Sequence, residues 1–110
     1  MGGYLADRID GYESAAFESV TVSTVAVGLT SATYSLRSAN TKRGLKQAVI
    51  SVENADIRYR MDGTSPTAAI GHIGYKDSFI TLSGAADIQK FEAIRKDGTN
   101  AVLRVTYRYS

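Results

Sequence analysis

Cysteine and tryptophan are absent from this chain of 110 residues, and proline and histidine occur once each, as Pro66 and His72. Without cysteine, no disulfide can staple the fold and no thiolate can attack a substrate or hold a metal ion. A solitary histidine between Gly71 and Ile73 falls short of the three or four ligands a metal site needs. It also lacks the nucleophile or orienting carboxylate that would make it a general base. The acidic residues are dispersed. Asp10, Glu13 and Glu18 lie near the N-terminus, and Asp62 and Asp97 stand before glycines, where Asp bonds its own backbone. No G-x-S-x-G or H-x-x-x-H pattern occurs. The expectation is a chain that is not an enzyme and that has neither cofactor nor metal.

A strong charge of one sign is lacking as well. The chain carries 13 basic and 11 acidic residues, a net charge of +2, so the pI near 9.0 reflects a small excess rather than a basic tract. Lys and Arg are scattered, which argues against a nucleic-acid partner. Long hydrophobic runs are missing too. The longest uncharged stretch, Ser19–Leu36, alternates and is rich in Ser and Thr, so it is neither a membrane span nor the core of a secretory leader. Ala6 stands where a myristoylation signal wants Ser or Thr. The expected protein is soluble, with no membrane attachment.

What the chain does have is short alternating segments punctuated by turns. Residues 1–17 show no sustained period and read as an N-terminal arm; residues 18–110 read as one β-domain. From Ser19 the period is two, and Ala32–Leu36 follows Gly28 as a short strand. Gln47–Glu53 places Ala48, Ile50 and Val52 inward. Ile57, Tyr59 and Met61 face inward opposite Arg58 and Arg60, which predicts a hairpin with the preceding strand. Asp62-Gly63 and Asp97-Gly98 are turn signals, and Pro66 stops ladder pairing. Asp77–Ser83, Lys90–Arg95 and Ala101–Tyr109 complete the set. Seven or eight such strands with almost no helix predict an all-β sandwich, immunoglobulin-like or jelly-roll-like.

Interface candidates come from residue types that are out of place. Residues 1–17 read either as a loose terminus or as an extended arm. Tyr4, Leu5, Ile9, Tyr12 and Phe17 are too apolar for a free tail, so the arm is expected to be mobile in an isolated monomer and to order against a neighbouring subunit or a larger assembly. The polar stretch Arg37–Gly44 holds Arg37, Lys42 and Arg43, suited either to water or to an acidic protein surface. The seven tyrosines outnumber the three phenylalanines, and tyrosine suits core rims, protein interfaces or a sugar platform.

Two resemblances follow from these residues. The run R-Y-R-M-D-G-T-S-P-T from Arg58, then G-H, D-S-F-I-T-L-S-G, I-Q-K-F-E-A-I-R and G-T-N-A-V-L-R-V-T-Y, resembles a family of small tailed-bacteriophage virion proteins. Val20–Thr30 and Ala48–Glu53 resemble it too, so the likeness covers roughly Val20–Tyr109. It implies a head decoration protein on the virion surface, made in the host cytoplasm. The implied partners are the major capsid protein and further copies of itself, a trimer being the first expectation. A head–tail connector or tail component is the alternative within virions. Second, I-x-Y-x-x-D-G-T-x-P-T is similar to the immunoglobulin-like module of chitobiases and hexosaminidases. That likeness implies a sandwich accessory to catalysis, and a carbohydrate-binding module is the alternative of another class.

Overall fold

At the C-terminal end of the chain Ala101, Leu103, Val105, Tyr107 and Tyr109 are all buried, while the residues between them are exposed or half-buried. A period of two with one apolar face makes a strand that must lie against a second layer. The computed structural model describes residues 13–34 and 44–109. Its elements are β1 (Glu13–Val22), β2 (Val27–Gly28), α1 (Ser31–Tyr34, a single turn), β3 (Leu45–Glu53), β4 (Ile57–Arg60), β5 (His72–Gly74), β6 (Phe79–Ser83), α2 (Ala85–Lys90), β7 (Glu92–Arg95) and β8 (Ala101–Tyr109).

The strands form two four-stranded antiparallel sheets, sheet A in the order β1-β8-β3-β6 and sheet B in the order β2-β7-β4-β5. The pairings are nested: β1 with β8, β2 with β7, β3 with β6 and β4 with β5. The chain thus behaves as one long hairpin, doubled at the β4–β5 connection and wrapped over itself. Pairings of β3 with β8 and of β4 with β7 complete the sheets. This strand order makes the all-β sandwich a jelly roll. The core between the sheets holds Ile50, Val52, Ile57, Leu82, Ile88, Phe91, Leu103 and Tyr107, each almost fully buried.

Five local expectations change. β3 and β4 do not form a hairpin, because they belong to different sheets. Asn54, at φ 77°, turns the chain across the sandwich, and its side-chain amide donates to the Asn100 carbonyl at 2.8 Å. The segment expected as a strand from Ala32 starts as the helical turn α1, whose Tyr34 is buried. Residues 85–90 are helical, with Ile88 facing the core, so the strand expected from Lys90 begins at Glu92. His72 lies on β5 rather than in a loop. Finally, the β-domain does not begin at residue 18: Glu13 already pairs with Tyr109, so Phe17 belongs to β1 and not to an arm.

Two glycines are required by geometry. Gly63 sits at φ 87° in the turn after β4, a region that side chains with a Cβ resist. Gly74 has no room for a side chain, since a Cβ there would lie 2.8 Å from Ile57 Cγ1.

Phe91 is buried and its ring centroid lies 5.6 Å from that of half-buried Tyr59. Phe91→Ala is therefore expected to lower stability by about 3–5 kcal/mol, and Tyr59→Ala by less, in thermal melts followed by circular dichroism. Equal melting of parent and Phe91→Ala would contradict this core. Gly63→Val is expected to lower the melting temperature through its positive φ alone, because nothing lies within 4 Å of its added Cβ.

Candidate functional site

The outer faces of the two sheets differ. On sheet B, Arg58 of β4 reaches outward and donates to the Ala68 carbonyl at 3.3 Å and to the Gly71 carbonyl at 3.1 Å. Ser65 donates to Glu92 Oε1 at 2.8 Å, Thr67 and Ile70 exchange backbone hydrogen bonds, and Pro66 is buried. The β4–β5 connection is thereby tied down over this sheet.

Sheet A has no such cover among the described residues. The strand registers set its outer side chains in rows: Phe17, Thr106, Val49 and Thr81 in one, Ser19, Arg104, Ser51 and Phe79 in the next. Arg104 donates to Ser19 Oγ at 2.7 Å and to Glu53 Oε1 at 3.2 Å, which fixes its guanidinium across three strands. The face is thus hydroxyl-rich, with Arg104, Arg108 and Glu53 as its charged groups. Phe17, 60% exposed, and Phe79, 73% exposed, stand at its diagonal corners.

A groove of about 600 Å³ opens at one end of the sandwich, lined by Arg60, Met61, Asp62, Ile70, Gly71, His72 and Asp87. The Asp62 carboxylate accepts two hydrogen bonds from Arg60, at 3.1 and 2.5 Å. That bond and the Thr64 amide hold Asp62 below the usual carboxylate pKa range. The pair is exposed, so it orders the turn more than it stabilises the fold. The His72 ring lies against Tyr59, with 5.5 Å between centroids and the planes tilted by 43°. Among the described residues no group of three His, Asp or Glu is placed to hold a metal ion, and no helix is long and apolar enough to cross a membrane.

The groove end is also where the undescribed segments attach. Glu13 and Leu45 both pair with Tyr109, and the Tyr109 hydroxyl donates to the Tyr34 carbonyl. At the opposite end the connections are tied together. Asp56 Oδ1 accepts from the Lys76 amide at 2.7 Å, and Arg95 donates to Asn100 Oδ1 at 2.9 Å.

The sequence-derived candidates divide accordingly. Tyr4, Leu5, Ile9, Tyr12, Arg37, Lys42 and Arg43 lie outside the described residues. Phe17 is on the open face. Asp62, Gly63 and Pro66 share the β4–β5 connection, with Asp62 in the groove wall. Asp97 and Gly98 are exposed in the β7–β8 connection at the other end, so the two turn clusters do not meet. Sequence reasoning missed Phe79 as a surface residue. The signal was present, since in F-I-T-L-S it shares a side with Thr81 and Ser83 rather than with Ile80 and Leu82. It also missed Glu18, whose carboxylate accepts from the Tyr107 hydroxyl and, at 3.0 Å, from the Thr30 amide.

Burial, followed by the bond to Glu18, pushes the Tyr107 pKa well above its ordinary value of 10.0. A pKa raised in the folded state gives stability that is complete below about pH 10 and is lost as pH rises beyond it, where the unfolded chain ionises first. The parent is expected to melt lower at pH 11 than at pH 9, and Tyr107→Phe to show a smaller alkaline decline. At neutral pH the same substitution is expected to cost about 1–3 kcal/mol, because the Glu18 carboxylate loses a donor. Identical alkaline melting of the two proteins would contradict the assignment.

Comparison with known proteins finds no matching family model, no matching curated protein and no matching solved structure.

Proposed function

We propose that the chain is a non-enzymatic structural protein of a tailed-phage virion, a head decoration protein that cements the capsid lattice from outside. The observation that carries this reading is the open outer face of sheet A. A surface of hydroxyls, valines, the two arginines Arg104 and Arg108 and two exposed phenylalanines has the composition of a protein interface. The opposite sheet is tied under its own loop, so among the described residues sheet A is the broad surface without a loop tied over it. The resemblance of Val20–Tyr109 to small virion proteins supports the same reading, and the jelly roll is an architecture found in viral shells, which is support by analogy.

Such a protein acts by mass action. It binds the assembled shell and not its separated subunits, so binding shifts the equilibrium toward the intact capsid. Its partners would be the major capsid protein and other copies of itself. Three-fold axes of the lattice favour a closed trimer.

A second reading rests on the groove. Its His72 ring, set against Tyr59, and its Arg60–Asp62 pair offer a ring and fixed polar groups, the combination a carbohydrate module uses.

Mixed with expanded, undecorated capsids of the phage that encodes it, the purified protein is expected to co-sediment to saturation and to raise the temperature at which the shells disrupt. Failure to bind capsids, together with assembly on isolated neck or tail proteins, would move the proposal to a connector. Failure to bind capsids, together with glycan binding that is lost in His72→Ala, would favour the carbohydrate reading.

A further inference from the structure

We propose that copies of this chain join edge to edge through sheet A, β6 of one copy taking β1 of the next as an added strand, with Phe79 of the first against Phe17 of the second. The chain has three phenylalanines. Phe91 fills the core, and the other two stand at the two free edges of one sheet, on the same outer face.

Both edges are open among the described residues, since no strand lies beyond β1 or β6 in sheet A. The β3 pairing gives the direction of the free groups on β6. The Val52 amide donates to the Ser78 carbonyl at 2.9 Å and the Gly84 amide to the Lys46 carbonyl at 2.7 Å. An antiparallel ladder alternates, so Ile80 and Leu82 bond to β3, whereas Phe79, Thr81 and Ser83 direct N–H and C=O away from it. A row of such groups is completed by a strand. β1 is the longest edge strand described, covering Glu13–Val22; its ladder with β8 shifts between Ser14 and Ala16, and from Ala16 to Val22 the edge is regular, with neither proline nor lysine.

Strand direction favours a head-to-tail join. All pairings within sheet A are antiparallel, so β1 runs opposite to β6. A second copy in the same orientation therefore brings its β1 antiparallel to β6, and the sheet continues without a change of pattern. Every register shifted by two residues keeps the outer faces continuous, and those that set Phe17 of the incoming strand opposite Phe79 or one diagonal step away bring the rings within reach of aromatic contact.

Five paired residues extend over about 17 Å of strand, and an edge of that size falls short of the roughly 800 Å² per partner typical of stable complexes. Self-association is therefore weak in dilute solution and tightens where many copies are held side by side. The join adds an interface to the expected self-association, and it is read in the free protein, so it stands or falls separately from capsid binding.

Sedimentation equilibrium of the full chain, from micromolar to millimolar concentration, tests the join with Phe17→Lys and Phe79→Lys. The parent is expected to associate with rising concentration, and each variant at least tenfold more weakly. An equimolar mixture of the two variants is expected to recover dimers, because the mixture retains one intact edge pair: Phe17 of the Phe79→Lys chain and Phe79 of the Phe17→Lys chain. A parent that stays monomeric to millimolar concentration overturns the proposal. So does a Phe79→Lys variant that associates like the parent, which would indicate β1 pairing with itself, or a mixture that recovers nothing. Circular dichroism melts confirm folding, and serine, already present on this face at Ser19 and Ser51, replaces lysine at either position if lysine disturbs it.

Discussion

The structure depends on β8. It is flanked on both sides, by β1 and β3, and every alternate side chain from Ala101 to Tyr109 is buried. Its two terminal tyrosines carry hydroxyls into the interior, where an unpaired polar group is costly. Each hydroxyl therefore dictates what surrounds it: Tyr107 needs the Glu18 carboxylate on β1, and Tyr109 needs the Tyr34 carbonyl at the end of α1. Glu18 in turn accepts the Thr30 amide, and so fixes the start of α1. One strand thus positions its sheet neighbours and the first helical turn. Because β8 is the last described strand and pairs with β1, the first, sheet A closes only when segments distant in sequence meet, as Glu18 and Tyr107 do at a separation of 89 residues. Such non-local pairing characterises slowly folding β proteins.

The nested pairing also decides which surfaces are available. The long connection between β4 and β5 lies at the point where the doubled chain bends back, and Arg58 and Glu92 hold it over sheet B. Among the described residues no connection is tied over the outer side chains of sheet A, from Phe17 across to Phe79. A sheet closed on one face and open on the other presents one broad surface, and the open edges β1 and β6 belong to that same sheet.

Much of this was legible in the sequence, for physical reasons that can be named. β3, β6 and β8 alternate cleanly because one face of each meets the core, and a period of two survives any change in the rest of the fold. The Asp62-Gly63 turn was legible because its chemistry is local: the carboxylate bonds the Thr64 amide at 3.2 Å and the glycine takes positive φ. Partnership between strands was not legible. Asn54-Ala55 can close a hairpin or carry the chain across a sandwich, and the choice is made by β8 and β5, which are distant in sequence. The helix at 85–90 is too short to show a period, and only Ile88 is buried on it. The groove was invisible for the same reason, since Arg60, His72 and Asp87 meet only once β4, β5 and α2 are brought to one end.

The central claim is that the outer face of sheet A, with its two corner phenylalanines, is the working surface. Hydroxyl-radical footprinting of the free protein and of the protein bound to capsids, read residue by residue by mass spectrometry, tests it most directly. The account predicts that Phe17 and Phe79 are oxidised in dilute free protein and protected in the bound state, while Met61 and His72 in the groove react equally in both. Protection of Met61 and His72, with Phe17 and Phe79 unchanged, would contradict it.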